Sequence, residues 1–250
     1  MKFLEWNINH RARQKPIPST MASAILSLGP DVAVLTEYVS SSSRGPFLDE
    51  LASGGLTHQL VSAVTKGENQ ILIAARGILE KGEIRAPAIA PSLPSNVLHV
   101  RLPTQGFEVL GLRVPDYSKQ PPIRRACWDW LTQTARTLVS RPFVLIGDFN
   151  TDPSYAKARC GPRIAELVAC GWQHAAPSEG ASYWTPKGHA VRIDHAFVSG
   201  HFAIMSARYV REGGQHVFAG GRGRALSDHA ALIVDLQWNK ENAPPVTSQQ

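Results

Sequence analysis

The sequence is poor in cysteine and contains no long apolar run, and each absence excludes a class of protein. Its three cysteines are Cys127, Cys160 and Cys170, an odd number without a CxxC pair, which argues against a disulfide framework and against a zinc ribbon. No apolar stretch approaches the roughly 20 residues that span a bilayer. Phe3–Asn7 already has the pattern of a strand, which leaves no room for a signal peptide. We therefore expect a cytoplasmic protein with reduced thiols.

Positive charge exceeds negative charge along the chain. Lysine and arginine total 26 against 20 acidic residues, which gives a net charge of +6 and an isoelectric point near 9.4. Such a balance favours an anionic partner such as a nucleic acid, a nucleotide or a phospholipid headgroup, although many basic proteins bind none of these.

The 250 residues suit one globular domain, although the length alone also permits two. We expect a single domain over residues 1–238. The last residues, 239–250, combine Pro, Ser and Gln with little apolar content, which predicts a disordered tail.

Short apolar or alternating runs predict about nine strands. These runs are Phe3–Ile8, Asp31–Leu35, Leu60–Val64, Gln70–Ala74, Val97–Leu102, Phe107–Val114, Phe143–Ile146, Arg192–Val198 and Ala230–Leu236.

Helical spacing predicts three helices: one capped by Ser19 and running to Leu28, and two over Ile123–Val139 and Pro162–Cys170. Residues 40–46 have the composition of a Ser-rich loop. So many strands with three or four helices do not fit a simple βαβ alternation, and two packed sheets with helices outside fit better.

Five short acidic or amide motifs lie where predicted strands begin or end. They are Trp6-Asn7, Glu37, Gly147-Asp148-Phe149-Asn150, Arg192-Ile193-Asp194-His195 and Ser227-Asp228-His229. Grouping several buried carboxylates is costly unless a cation or a proton offsets their charge. The pattern therefore predicts a metal-dependent phosphoesterase site.

The residues suggest individual roles, each with a plainer alternative. Asp148 could orient or deprotonate a water and Asn150 could bind a phosphate oxygen, unless they simply form a turn after the strand. Glu37 is a candidate Mg²⁺ ligand, or a solvated acid at a strand end. The amides of Asn7 and Asn9 could assist either metal or phosphate.

The two later motifs suggest acid–base chemistry. Asp228 and His229 are neighbours and face opposite ways in an extended chain, so Asp194 is the better partner for His229. A local surface pair of Arg192 and Asp194 is the alternative. Ser227 lacks the G-x-S-x-G context of a hydrolase nucleophile.

Taken together, the motifs resemble the endonuclease/exonuclease/phosphatase superfamily, from Trp6-Asn7 to His229. This superfamily includes apurinic endonucleases, exonuclease III, deoxyribonuclease I-like nucleases, inositol phosphatases and sphingomyelinases. The resemblance implies an α/β, four-layer sandwich of two packed mixed β-sheets flanked by helices, with the site at one end of the sheets.

The resemblance also implies residue roles. Glu37 would be the principal ligand of Mg²⁺, for which Mn²⁺ could substitute, with help from Asn7 and with Asp228 nearby. Asp148 and Asn150 would position the water and the phosphate. His229, oriented by Asp194, would contact the scissile phosphate. Whether Asp148 or the Asp194–His229 pair acts as the base stays open.

Three positions depart from the family pattern. Arg113 stands where family nucleases often carry Tyr or His; it could bind phosphate but could not easily protonate a leaving group, and Tyr117 could reach in instead. Asn9 replaces a common Asp, and His195 replaces the usual Tyr. These departures argue against abasic-site cleavage specifically.

Basic and aromatic residues near the motifs are candidates for substrate binding. Arg222 and Arg224 lie in a Gly-rich stretch that leads into Ser227, and such a loop suits a polyanion, unless it is an ordinary solvated loop. Trp184 and Tyr183 could stack on a base or pack in the core.

The leading hypothesis is a Mg²⁺-dependent phosphodiesterase that cleaves DNA or RNA. The alternative is a phosphatase or phosphodiesterase acting on a nucleotide, an inositol phosphate or a similar small ester. A catalytically dead nucleic-acid-binding module is a third reading, against which the intact acidic motifs argue. A calcineurin-like metallophosphatase would need a Gly-Asn-His segment, which the sequence lacks. We expect no membrane association and no obligate protein partner.

Overall fold

Two six-stranded sheets form the centre of the molecule. The computed structural model describes residues 1–9, 17–39, 44–64, 68–116, 119–185, 187–220 and 224–239. In chain order the strands are β1 (Lys2–Asn7), β2 (Val32–Tyr38), β3 (His58–Val61), β4 (Gln70–Ala75), β5 (Glu80–Lys81), β6 (Val97–Leu102), β7 (Phe107–Arg113), β8 (Phe143–Asp148), β9 (Gln173–His174), β10 (Tyr183–Trp184), β11 (Ala190–Val191), β12 (Asp194–Val198), β13 (Phe202–Val210), β14 (Glu212–Gly213), β15 (His216–Val217) and β16 (Ala231–Trp238). The helices are α1 (Ser19–Ser27), α2 (Arg44–Ser53), α3 (Pro121–Leu138) and α4 (Pro162–Ala169), with 3₁₀ turns at Leu93–Asn96 and Lys157–Arg159.

Both sheets are mixed. The first has the order β13-β16-β1-β2-β4-β3 and the second β5-β6-β7-β8-β12-β9. Within each sheet one pair is parallel, β1 with β2 and β7 with β8, and the remaining pairs are antiparallel. A parallel pair needs a crossover connection, and here α1 and α3 provide the two crossovers.

The layers follow from strands that are apolar on both faces. Along β1, Phe3 enters the core between the two sheets, whereas Leu4 and Trp6 face the helices. Burying a large side chain of this kind stabilises the fold by roughly 1.5–3 kcal/mol relative to leaving it in water.

Helices cover the outer face of each sheet. Met21 and Ile25 of α1 and Leu51 of α2 pack on the first sheet. Trp128 of α3 and Leu167 of α4 pack on the second. The order helix, sheet, sheet, helix confirms the predicted four-layer α/β sandwich.

The nine predicted strands are all present, with ends shifted by at most three residues. The strand predicted over Arg192–Val198 begins at Asp194. β13 was not predicted, because most of its side chains are only partly buried and Phe202–Val210 has neither clear alternation nor a solid apolar run.

Two helix predictions need correction. Ser19 does not cap α1: Pro18 occupies the cap position, without a side-chain hydrogen bond, and Ser19 is the first helical residue. The end of the loop predicted over residues 40–46 is instead helical, because α2 begins at Arg44. Pro46 lies in the first turn of this helix, where proline is tolerated. Residues 40–43 lie outside the described part of the chain.

At the other end of the chain, the backbone N–H of Asn239 donates to the carbonyl of His201 at 2.9 Å, and residues 240–250 of the predicted tail are outside the described ranges. Cys127, Cys160 and Cys170 are free thiols. Among the described helices, none has the length and apolar character needed to cross a membrane.

Candidate active site

The polar motifs meet at one end of the two sheets because of how the strands pair. The parallel strands β1 and β2 carry Asn7 and Glu37 near their carboxyl ends, and β7 and β8 end at Arg113 and Asp148. β12 runs antiparallel to β8, so its first residue, Asp194, lies directly opposite Asp148. Strand register places these side chains at one edge of each sheet, and packing of the two sheets brings the two edges together.

His229 reaches the same edge from the segment before β16, which is antiparallel to β1. Two contacts fix this segment: the Trp6 indole N–H donates to the carbonyl of His229 at 2.8 Å, and the Ser227 hydroxyl donates to the carbonyl of Asn7 at 2.6 Å. Ser227 is thus a structural hydrogen-bond donor at the base of the site.

Hydrogen bonds between side chains join the two sheets at this end. The Asn7 amide Nδ2 donates to Asp148 Oδ2 at 3.0 Å, and His229 Nδ1 lies 2.8 Å from Asp194 Oδ2. Asp148, Asp194 and His229 are all buried, and one ligand atom of each lies within 4.8 Å of the others. Asp194 Oδ1 has no hydrogen-bond partner among the described residues.

Burial and charge shift the pKa of both ionisable partners. Burial, together with the negative charge of Asp194, raises the pKa of Asp148 to about 7, although His229 and Arg113 oppose the shift. Burial alone would lower the pKa of His229, but Asp194 outweighs it through charge and a hydrogen bond and raises the pKa to about 9. At neutral pH, His229 is therefore cationic and Asp148 lies near its titration midpoint.

Gly147 brings Asp148 to the site through close contact with the neighbouring strand. A Cβ atom at Gly147, whose φ is 156°, would lie 1.8 Å from the carbonyl oxygen of Leu112 on β7. The group that approaches Gly147 is therefore the backbone of β7. Glycine is thus required for β7 and β8 to pair up to Asp148.

Glu37 projects into the site from a bulge in β2. The register between β2 and β4 shifts between Leu35 and Tyr38, and Glu37 has a φ of 54°, which is uncommon for a residue other than glycine. Bulges and strained dihedrals of this kind redirect side chains beside functional sites.

Arg113 connects Glu37 with Asp148. Its guanidinium lies 2.7 Å from Glu37 Oε1 and 3.6 Å from Asp148 Oδ2. The negative charges of Glu37 and Asp148 outweigh the effect of burial, which lowers the pKa of Arg113, and the net shift is upward. A permanently charged, forked donor therefore stands where the family pattern has Tyr or His.

Asn150 makes local contacts that position Asp148. Its Nδ2 donates to the carbonyl of Val114 at 2.8 Å and to Asp148 Oδ2 at 3.1 Å, and its backbone N–H donates to Asp148 Oδ1 at 2.8 Å. Both amide hydrogens are therefore engaged within the protein. Asn9 donates through Nδ2 to Asp228 Oδ1, which brings the acid of the last motif to the rim.

The pocket enclosed by these groups has a volume of about 280 Å³. It contains the catalytic candidates together with side chains that the sequence did not single out. Its lining among the described residues is Asn9, Glu37, Arg113, Asp116, Asp148, Asn150, Tyr155, Arg159, Tyr183, Thr185, Ile193, Asp228 and His229.

Several predicted substrate-binding residues lie elsewhere. Trp184 is absent from the pocket lining and packs under the guanidinium of Arg211, 4.8 Å from its ring centroid, whereas its neighbour Tyr183 enters the pocket and lies 4.9 Å from the ring of His229. Arg224 is exposed and does not line the pocket. Tyr117 and Arg222 lie outside the described residues.

His195 points away from the site. It is buried, with Nε2 2.9 Å from the carbonyl of Thr151 and Nδ1 3.1 Å from Nε2 of His174. Asp152 accepts the backbone N–H of Arg192 at 2.6 Å and fixes the entry to β12 from the other side. These residues support Asp194 without entering the pocket.

Glu5 is a further acid near the site, and the sequence did not mark it because it lies in the middle of β1. Glu5 of β1 is fully buried beneath the site, and its Oε1 accepts a hydrogen bond from Thr36 at 3.3 Å. Burial, reinforced by the negative charges of Asp194 and Asp148, raises the pKa of Glu5 well above its usual value.

The comparisons with known proteins agree with this geometry. The family model described as Endonuclease/Exonuclease/phosphatase family matches residues 4–229. The chain belongs to this family. Its members are phosphoesterases and generally depend on divalent metals, so the chain has the fold of a hydrolytic enzyme. A comparison with curated protein sequences gives no match.

Solved structures with the same fold include two of NExo from Neisseria. One is the 3' phosphatase bound to a product DNA hairpin (19% identity, TM-score 0.69) and the other is the 3'-5' exonuclease from Neisseria meningitidis (21%, 0.67); each covers 95% of this chain and 100% of its own. An endonuclease/exonuclease/phosphatase from Beutenbergia cavernae is 16% identical with a TM-score of 0.68, over 96% of this chain and 72% of its own. At these identities the likeness establishes the fold.

Proposed function

We propose that the protein is a Mg²⁺-dependent phosphodiester hydrolase that cleaves DNA or RNA by attack of water on phosphorus. One observation carries the proposal. The carboxyl of Asp148 lines one open pocket together with the cationic fork of Arg113 and with His229, which Asp194 holds from beneath. An acid near its titration midpoint beside two cations suits in-line attack on a phosphate.

Each residue has a role that follows from its contacts. Asp148, whose pKa lies near 7, accepts a proton from the attacking water, which is the function expected of a base poised near the operating pH. His229 stays cationic because of Asp194 and donates to a phosphoryl oxygen. Arg113 binds a second phosphoryl oxygen through its forked donors. Asn150 positions Asp148.

The charges at this site fit a divalent cation. The carboxyl groups outnumber the two cations, Arg113 and His229, so the site carries excess negative charge even though Asp148 is only partly ionised at neutral pH. These carboxyl groups are Glu37, Asp148, Asp194 and Asp228. The ligand atoms that the pocket lining offers to a metal are carboxylate and amide oxygens, which Mg²⁺ prefers. A bound Mg²⁺ would neutralise charge on the phosphoryl and leaving oxygens.

Glu37 and Asp228 would hold this ion, with the amide oxygen of Asn7. The buried set of Asp148, Asp194 and His229 is less suited, because the cationic His229 has no lone pair to offer and its Nδ1 is engaged by Asp194. The Asn7 oxygen accepts the backbone N–H of Asn9 at 2.9 Å and keeps a second lone pair. Mn²⁺, which also takes oxygen ligands, is expected to substitute.

Two observations support a nucleic-acid substrate. The chain carries a net charge of +6, and the structural neighbour NExo binds a DNA hairpin. A small phosphate ester is the second candidate, favoured by a pocket of about 280 Å³, just below the 300–1,000 Å³ of common ligand sites. A reducing, cytoplasmic compartment suits the three free cysteines.

The test is hydrolysis of a substrate panel by purified protein in Mg²⁺, Mn²⁺ or EDTA. The panel holds single- and double-stranded DNA, abasic duplex, RNA and small phosphate esters, with Asp148→Asn as the inactive control. Metal-dependent cleavage of a nucleic acid supports the proposal, and cleavage of small esters alone supports the second candidate. Turnover that survives EDTA or Asp148→Asn overturns both.

A further inference from the structure

Tyr155 and Arg159 form a stacked pair at the edge of the pocket. The guanidinium carbon of Arg159 lies 3.4 Å from the centroid of the Tyr155 ring, and both side chains line the pocket that contains Asp148 and His229. Tyr155 is half-buried and Arg159 is exposed. Neither residue belongs to the acidic motifs, and the hydrolytic chemistry proposed above uses neither.

The loop that carries this pair has a fixed shape. Asp152 accepts hydrogen bonds from the backbone N–H of Ser154 at 2.8 Å and of Arg192 at 2.6 Å, and these bonds lower the pKa of Asp152 against the effect of burial. A Cβ atom at Gly161 would lie 1.9 Å from the carbonyl oxygen of Tyr155, so the two ends of the loop are in direct backbone contact. The stack is therefore held at the pocket before any ligand arrives.

Arg159 keeps its charge available. Among the described residues no carboxylate pairs with it, and its interaction is with the ring. Arg163, four residues later in α4, contrasts with it, because its guanidinium is bound by Asp129 and Glu166. A guanidinium that lies flat on a ring leaves its N–H edges open to a phosphate and its second face open to a base.

We propose that Tyr155 and Arg159 form a nucleotide-binding subsite beside the catalytic carboxylates, which holds the nucleotide unit next to the scissile phosphate. The ligand chemistry is a planar base attached to an anionic phosphate, because the stack offers a flat surface and a free positive charge together. This inference rests on the proposed function and extends it by assigning a residue pair to recognition of the nucleotide.

Binding tests the subsite without turnover. A fluorescein-labelled single-stranded oligonucleotide is titrated by anisotropy against Asp148→Asn protein in Mg²⁺, over a series of salt concentrations. In that background, Arg159→Gln is expected to weaken binding and to reduce the slope of log K against log salt by about 0.7, the value for one phosphate contact on a single strand. Arg159→Lys keeps the slope and loses the stacking surface.

Substitutions of Tyr155 test whether its ring contributes to the stacking surface. Tyr155→Ala is expected to weaken oligonucleotide binding about tenfold, whereas Tyr155→Phe keeps the ring and stays within about twofold. Arg163→Gln is the matched control, because it removes one arginine from the same surface outside the pocket. Thermal unfolding checks that each variant remains folded.

The outcomes separate this inference from the proposed function. Equal affinity and equal salt slope for Arg159→Gln and the parent protein overturn the subsite, as does an equal loss in Arg163→Gln, which would indicate general surface charge. Failure of the wild-type protein to hydrolyse any member of the panel overturns the proposed function instead, while the binding series still decides the subsite.

Discussion

Asp194 and His229 join the two sheets through a contact of 2.8 Å between Oδ2 and Nδ1. Asp194 opens β12 in the second sheet, and His229 precedes β16 in the first. Because the two groups come from different sheets, the charge state of His229 depends on correct sandwich packing. The imidazolium is therefore a property of the assembled fold and not of the local Ser227-Asp228-His229 segment.

Replacing Asp194 by Asn removes the charge that keeps His229 protonated. The pKa of His229 is then expected to fall from about 9, because burial lowers it and only the weaker effects of Asp148 and Asp228 remain to raise it. Turnover at neutral pH is expected to drop by about 10²–10⁴-fold, the range of general acid–base contributions. NMR titration of the imidazole nitrogens measures the pKa directly. Asp235→Asn, on β16, is the control, and a His229 pKa that stays near 9 would refute the role of Asp194.

Asp148→Asn is expected to abolish turnover and yet to stabilise the fold at neutral pH. The pKa of Asp148 is about 7 when folded and near 3.8 when unfolded, so ionisation costs stability. This cost is absent below pH 3.8, grows as pH rises, and is complete above about pH 7. In EDTA the variant should therefore gain about 1–4 kcal/mol of unfolding free energy at pH 8 and less at pH 5.

Urea denaturation at both pH values measures this difference. A stability difference between the variant and the wild type that is the same at pH 5 and pH 8 would show that burial of Asp148 does not shift its ionisation.

Glu37→Gln is expected to weaken metal binding before it affects the fold. The substitution removes the carboxylate that faces the pocket and frees Arg113 from its 2.7 Å contact. We expect the Mn²⁺ dissociation constant, measured by electron paramagnetic resonance, to rise at least about tenfold. Glu83→Gln removes an acid that is 88% exposed and serves as the control. An unchanged Mn²⁺ titration would remove Glu37 from the ligand set.

The sequence predicts much of this fold because β1, β2, β7 and β8 are apolar on both faces. Such strands end abruptly in polar residues, and the polar ends mark the site. β13 lacks this signature because only one of its side chains is fully buried. The helix α2 was missed for a related reason, since it begins beside a Ser-rich segment and contains Gly45 and Pro46.

The site was predictable as a set of residues but not as a set of contacts. No pattern in the sequence reveals that both amide hydrogens of Asn150 are used within the protein, or that Arg113 pairs with Glu37. The placement of Tyr155 and Arg159 depends on a loop whose shape is set by contacts with Arg192, which precedes β12, and with Gly161, which precedes α4. Tertiary packing decides these points, and a single sequence does not encode them locally.

Gly147→Ala is expected to disrupt the pairing of β7 with β8. The added methyl group would overlap the carbonyl oxygen of Leu112, which is backbone and cannot turn away. We expect a loss of more than about 3 kcal/mol in unfolding free energy, or failure to fold. Gly200→Ala is the control, because a Cβ atom there meets nothing within 4 Å. Equal stability of the two variants in urea would contradict the close approach.

His174 makes the fold sensitive to acid. Burial, with the charges of His195 and Arg192, lowers the pKa of His174 to about 3, well below the value of 6.5 in the unfolded chain. As pH falls below 6.5, His174 binds a proton in the unfolded chain but stays neutral in the folded protein. Stability is therefore lost between about pH 6.5 and 3, at up to about 1.4 kcal/mol per pH unit.

His174→Gln should remove this loss, so the comparison is between the pH slopes of the two proteins. Asp148 acts in the opposite direction over the same range, since its raised pKa favours the folded state as pH falls, and it contributes equally to both slopes. Urea denaturation from pH 7 to 4 is expected to show a shallower decline for His174→Gln than for the wild type. His189→Gln, which removes an exposed histidine, should follow the wild type. Parallel slopes for all three proteins would show that His174 accepts a proton in the folded state.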